Sequence, residues 1–243
     1  MRHPDRREAL GFSGIALAAV NGLAAGAASA AATKDAPDLS GKTVLVISSE
    51  TKISRAIREM FSAAGATVNI KSQPTEFTDE AYAALFRGVP KTDMVIAIAI
   101  PERNGPVGKV SLADFHKVLV DNYGRMWLTM KSGILMLRGM GGGQFLGITS
   151  TDGRSGVPNG AAASAAANGI TIMLRSATLE CAQKQDGVRV NCIQAGTIVD
   201  SKSPRPGEVR ADDVASAAAY LAADGSVYLT GVVMPVDNGG SAT

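Results

Sequence analysis

STDGRSGVPNGAAASAAANGITIMLRSATLECAQKQDGVRVNCIQAG, residues 150–196, decides how the rest of this chain is read. The apolar run that ends in ITS at Ser150 has strand character and gives way to a Gly/Pro/Asn loop, which punctuates regular structure. After that loop a long apolar stretch predicts a helix, and VRVNCI after it predicts a second strand, closed by the small residues Ala195 and Gly196. Parallel strands need a long crossover, and the helix supplies it. The segment therefore predicts a helix packed beside two parallel strands, the repeating unit of an α/β domain.

Working outward, residues 39–71 repeat the theme. An apolar β-branched strand over 43–47 passes through a polar turn into a helix with Ile53, Ile57, Met60 and Phe61 on one face. Gly65 ends that helix and VNI starts the next strand. Residues 72–92 have room for one helix, near 77–86, and not for a further strand with its crossovers. DMVIAIAIP reads as a buried parallel strand. Residues 111–139 predict a long helix that opens on a Ser111/Asp114 pair of capping type and carries Asn122 within VDNYG. His116 reads as a surface side chain, Trp127 and Met126, Met130, Met136 and Met140 as packing. A Pro-rich loop after Gly196, a helix over about 212–223 and a strand in GVVMPVD complete the domain.

Taken in order, LSGKTVLV, AGATV, VDNYG, GVRVN and a tail closing in DNGG resemble the framework of the short-chain dehydrogenase/reductase (SDR) family. The resemblance implies a Rossmann-like, doubly wound α/β fold: a mainly parallel sheet of about six strands, helices on both faces, as a single domain over 33–243. Family members use NAD(P). In them a Tyr acts as general acid/base, a Lys lowers its pKa and holds the nicotinamide ribose, and a strand-end Ser orients the substrate carbonyl. Aligned on RSATLECAQ and VRVNCIQAG, the Ser falls on Ser150, the Tyr on Ala163 and the Lys on Ala167; the helix Asn falls on Asn122.

Chemistry-bearing positions depart from that pattern at three places. The family's TGxxxGIG falls on Ile47, Ser48, residues 49–51, Lys52, Ile53 and Ser54, so all three glycines are replaced. Glycine there permits positive φ and lets backbone N–H groups approach a pyrophosphate at a helix N-terminus. Side chains add bulk, although Lys52 offers a phosphate contact. DMVIAIAIP replaces the family's NNAG strand. Ala163 and Ala167 can do no proton chemistry, worth a factor of roughly 10² to 10⁴ in general acid/base catalysis. Ser150 and Asn122 are thus the remnants of the family's catalytic site, and Ser48, Lys52 and Ser54 form a degenerate cofactor loop. Asp152, Arg154 and Asn159 lie on the loop beside Ser150 and are candidates for a repurposed site.

A net charge of +2 with both signs dispersed excludes a nucleic-acid footprint, and two cysteines with two histidines leave no metal cluster. Cys181 and Cys192 read as buried free thiols, with a disulfide permitted by an oxidising compartment. Residues 1–32 have a charged start with Arg6 and Arg7, an Ala/Gly-rich run and an Ala28-Ser29-Ala30 site, the organisation of an export signal of twin-arginine type. An exported, periplasmic protein without a stable membrane span is expected.

The leading expectation is an SDR-fold pseudoenzyme that binds a ligand or partner, with no cofactor and with self-association as a dimer or tetramer. The alternative is a divergent NAD(P)-dependent oxidoreductase. A further alternative is a non-redox lyase- or isomerase-type enzyme built on Ser150.

Overall fold

The computed structural model describes residues 37–242, so the export segment read from residues 1–32 lies outside the described residues. In chain order the elements are β1 (Thr43–Ile47), α1 (Lys52–Ala63), β2 (Thr67–Lys71), α2 (Asp79–Phe86), β3 (Met94–Ile98) and α3 (Leu112–Val118). A π-helical turn, Leu119–Gly124, leads into α4 (Arg125–Gly139), followed by β4 (Gly143–Ser150), α5 (Asp152–Ser155), α6 (Ala161–Lys184) and β5 (Val188–Ala195). Two short strands, β6 (Thr197–Ile198) and β7 (Glu208–Val209), precede α7 (Ala211–Ala222) and β8 (Val233–Val236).

Six strands form one parallel sheet in the order β2-β1-β3-β4-β5-β8. This is the doubly wound arrangement that the order of motifs implied. Among the described residues nothing pairs with the outer edge of β2, because α2 turns back to pack on α4 instead of leading to another strand. The chain order reverses between β1 and β3, and the crevice beyond the carboxyl ends of strands at such a switch point is where open α/β sheets bind ligands.

Alternation along the strands divides the core in two. Val44, Val46, Ile96, Leu146, Ile148 and Ile193 face α1 and α7, while Leu45, Ile47, Val95, Phe145, Val190 and Cys192 face α4 and α6. Helix α1 buries Ile53, Ile57 and Phe61 against the first layer, each worth about 1.5–3 kcal/mol of transfer free energy. Its end needs a glycine: Gly65 has φ +92°, and a Cβ there would stand 2.7 Å from Ser40 Oγ. Two features had no sequence signature, the π-helical turn before α4 and the β6–β7 pair after Gly196. Both turn out to border the site.

Candidate functional site

A cleft of about 700 Å³ opens at the carboxyl ends of β1 and β3, the size range of small-molecule sites. Its walls are Ser48, Ser49 and Thr51 from the β1–α1 turn, Lys52 and Ile53 at the start of α1, residues 72–75 after β2, and Ile98 at the end of β3 with residues 99–100 after it. Glu102, Asn122, Arg125 and Asp121, the last paired with Lys117 and Arg125, complete the lining together with Ile198.

The β1–α1 turn is built from side-chain caps. The Ser54 N–H donates to Thr51 Oγ1 at 3.1 Å, and the Thr51 N–H donates to Ser54 Oγ at 2.8 Å, a reciprocal capping box. The Ser54 hydroxyl also lies 3.2 Å from the Ser49 carbonyl. Non-glycine residues of positive φ among those described are Asn159, Gln185 and Asn238, so the turn needs no left-handed residue. That is why it folds without the family's glycines. Ser54 is fully buried in this cap and does not line the cleft, whereas Ser48 and Lys52 do. Glu50 is turned to Arg58, 3.2 Å away, and is absent from the lining.

Across the cleft, Asn122 sits in the π-helical turn and donates through Nδ2 to the Val118 carbonyl at 2.9 Å. Its side-chain amide is thus bound to its own helix, one turn back. Arg125 holds the loop after β2, donating to the Pro74 carbonyl at 2.7 Å, Tyr82 Oη at 3.1 Å and the Thr75 carbonyl at 3.3 Å. Its guanidinium lies 5.9 Å from the Phe77 ring centroid. Burial pushes the Tyr82 phenol above its ordinary pKa, with Arg125 acting in the opposite sense, so the phenol stays neutral.

The end of the sheet that carries the family's proton chemistry is closed. Ser150 is 6% exposed, lies outside the cleft lining, and its Oγ accepts the Asp152 N–H at 3.0 Å. The carboxylate of Asp152 is held by Arg103 in a bidentate pair, both contacts 3.0 Å. Gly105 N–H donates to the Asn159 carbonyl at 3.1 Å and Arg154 to the Ser241 carbonyl at 3.3 Å. Asp152, Arg154 and Asn159 therefore fasten loops and do not converge on the Ser150 hydroxyl. On α6, Ala163 is 1% and Ala167 0% exposed. Sequence reading brought Ser150, Ala163 and Ala167 to one end of the sheet and missed Arg103, Arg125 and Asp200, whose partners are distant in sequence and leave no local signal.

The residues of the cleft fit a dinucleotide in one respect and differ in another. Hydroxyls of Ser48 and Ser49 and the ammonium of Lys52 stand at the N-terminus of α1, where phosphate is favoured. Backbone donors exposed by glycines are replaced by side-chain donors.

Comparison with known proteins bears on this cleft. The family model described as Enoyl-(Acyl carrier protein) reductase matches residues 14–201. Levodione reductase of Leifsonia aquatica is 21% identical over 254 residues, covering 83% of this chain and 94% of that enzyme. The NADP-dependent (R)-specific alcohol dehydrogenase of Lentilactobacillus kefiri is 30% identical over 146 residues, 53% of this chain and 58% of the enzyme. A solved structure from Beutenbergia cavernae, described as a putative NAD(P) dependent gluconate 5-dehydrogenase with bound NADP at low occupancy, superposes with a TM-score of 0.76 at 23% identity, over 85% of this chain and 99% of that one.

These relatives overturn the expectation that no cofactor is involved: one is named for its NADP dependence and another carries NADP. The physical reason the expectation failed is that losing the glycines reshaped the turn and left the cleft beside it open. With the family model matching most of the chain and the doubly wound sheet in place, the chain belongs to the short-chain dehydrogenase/reductase superfamily.

Proposed function

We propose that this protein is a divergent NAD(P)-binding member of the superfamily, with the dinucleotide lying in the cleft beyond β1 and β3. The observation that carries the reading is the cleft of about 700 Å³ at the topological switch point of a sheet whose relatives use these cofactors. Lys52 and the hydroxyls of Ser48 and Ser49 would hold phosphate, and Ile98 and Ile100 would floor the site. When bound, the nicotinamide supplies or accepts a hydride. Within this chain Asn122 orients nothing but its own helix, and Ser150 is capped by the Asp152 amide. Oxidoreductase chemistry in this cleft runs without the family's Tyr/Lys pair.

A second reading, a nucleotide-binding protein that no longer transfers hydride, is favoured by one specific observation: Ala163 and Ala167 are buried and offer no proton donor. Titration calorimetry of the full chain with NADH and NADPH, followed by cofactor oxidation with a panel of small carbonyl compounds, separates the two. Turnover selects the divergent oxidoreductase, and saturable binding without turnover selects the binding protein. Absence of binding at millimolar cofactor rejects both.

Two expectations from the sequence belong to the same proposal. Export rests on residues 1–32, and cell fractionation that leaves the protein in the cytoplasm would reject it. Self-association is supported by Trp127 and Leu135 on α4 and by Ile172 on α6, all exposed beside a hollow of about 770 Å³.

A further inference from the structure

Among the described residues lining the cleft, the cationic side chains are Lys52 and Arg125. Arg125 is committed: its guanidinium ties down Pro74, Thr75 and Tyr82. Lys52 is held differently. Its ammonium reaches out to Asp200, Nζ to Oδ2 2.6 Å, and Asp200 stands two residues beyond Ile198 on the other wall. The bridge therefore joins the β1–α1 turn to the loop after β6. Both side chains are solvated, Lys52 49% and Asp200 81% exposed, and an ion pair of that kind changes partners at little cost.

The need for a cation at this spot follows from the turn. Of the first donors of α1, the Ser54 amide is already taken by Thr51 Oγ1, which leaves the amides of Lys52 and Ile53. No acidic residue lies in the first turn of α1, and Glu50 is turned to Arg58, so nothing on that element repels an anion from Lys52. Lys52 itself occupies a position that is glycine in the family pattern. One solvated ammonium stands where the family presents backbone N–H groups.

We propose that Lys52 is the phosphate anchor of this cleft and Asp200 its resting partner, so that an entering dinucleotide exchanges its pyrophosphate for the Asp200 carboxylate on the Lys52 ammonium. The inference rests on the NAD(P) reading above and extends it. Asp200 competes with phosphate for one cation and thereby sets the affinity and its salt dependence.

The test is calorimetric titration of the full chain and of Lys52→Met, Lys52→Arg and Asp200→Asn with two probes, NADPH and inorganic pyrophosphate, at low and high ionic strength. Lys52→Met is expected to weaken both probes by about 10-fold or more, and Lys52→Arg to keep most of the affinity. Asp200→Asn is expected to tighten both by about 3-fold at low salt, with the gain fading as salt screens the competing carboxylate. Circular dichroism and melting of each variant verify the fold. Equal affinities in wild type and a folded Lys52→Met overturn the anchor, and weaker binding in Asp200→Asn overturns the exchange. Lys52-dependent binding of pyrophosphate with no binding of NADPH removes the dinucleotide reading and leaves the anchor standing. Wild-type protein that binds neither probe overturns both.

Discussion

Gly153 lies against α6 at Ala167 so closely that a Cβ on residue 153 would stand 2.4 Å from the Asn168 amide nitrogen, 2.8 Å from the Ala167 carbonyl carbon and 2.9 Å from the Ala167 Cβ. Helix α5 thus rests on the stretch of α6 where the family pattern places its lysine. The contact is mostly backbone on backbone, so neither side can yield by rotating a side chain.

Two substitutions probe that contact. Gly153→Ala forces backbone apart and is expected to cost about 1–3 kcal/mol, the range for overpacking a filled site. Ala167→Lys puts an ammonium at a fully buried position and is expected to cost about 2–4 kcal/mol. Urea unfolding reads both. An unchanged midpoint for Ala167→Lys would show that α5 swings aside and that the Ser150 end of the sheet can open.

Arg189 makes a different kind of commitment. Its guanidinium donates to the carbonyls of Ser226 at 3.2 Å, Leu229 at 2.8 Å and Leu221 at 3.4 Å, and to Gln144 Oε1 at 2.7 Å. Burial lowers its pKa, yet it remains charged, facing carbonyls that end α7 and the turn after it. Arg189→Met keeps the aliphatic bulk and strands those acceptors, each worth about 1–3 kcal/mol when left unpaired in the interior. A loss of about 2–4 kcal/mol in chemical denaturation is expected, because water reaches some of the acceptors. A loss within ~0.5 kcal/mol, the scatter of surface changes, would show the network to be peripheral.

Cys181 and Cys192 are free and buried. Burial pushes the Cys192 thiol up to about 12 and also raises Cys181, so neither forms appreciable thiolate at neutral pH. A thiol-specific disulfide reagent is expected to label neither cysteine in native protein at pH 8 and both in guanidinium. Rapid native labelling, or no labelling after denaturation, would contradict the buried free thiols.

Trp127 is 47% exposed, Leu135 56% and Ile172 56%, a large apolar surface for a monomer to leave in water. Light scattering is expected to give a dimer or larger for the wild type. The double variant Leu135→Glu/Ile172→Glu should lower the measured mass while keeping the melting temperature within a few degrees. A wild type that is monomeric at 100 μM, on the order of tenfold above a weak micromolar Kd, would reject this surface as an interface.

Much of the fold was legible because strands and helices announce themselves by local pattern. Residues 43–47, VRVNCI and the ITS run became β1, β5 and the end of β4, and the short span at 72–92 left β2 as the sheet edge. Site reading went less far. Ser48, Lys52 and Asn122 do line one cleft, but Ser54 is spent on a cap and Ser150 is covered. The absent glycines suggested a degenerate loop and no cofactor; a capping box replaced their turn, and one relative named for its NADP dependence and one structure with bound NADP pointed the other way.

What the sequence determined by itself was the order of βα units, the absence of a proton donor at positions 163 and 167, and the family to which such an order belongs. Those follow from periodicity and residue type, which act within a few residues of chain. What only the tertiary structure decided was which groups meet. Lys52 with Asp200 and Arg103 with Asp152 are brought together by crossovers between strands, across stretches of chain over which local pattern carries no information, and Gly153 meets Ala167 because α5 folds back on α6 within one connection. Whether the cleft stays open and Ser150 stays covered is set by those pairings, because packed backbone and paired charges, not propensity, fix the space that remains.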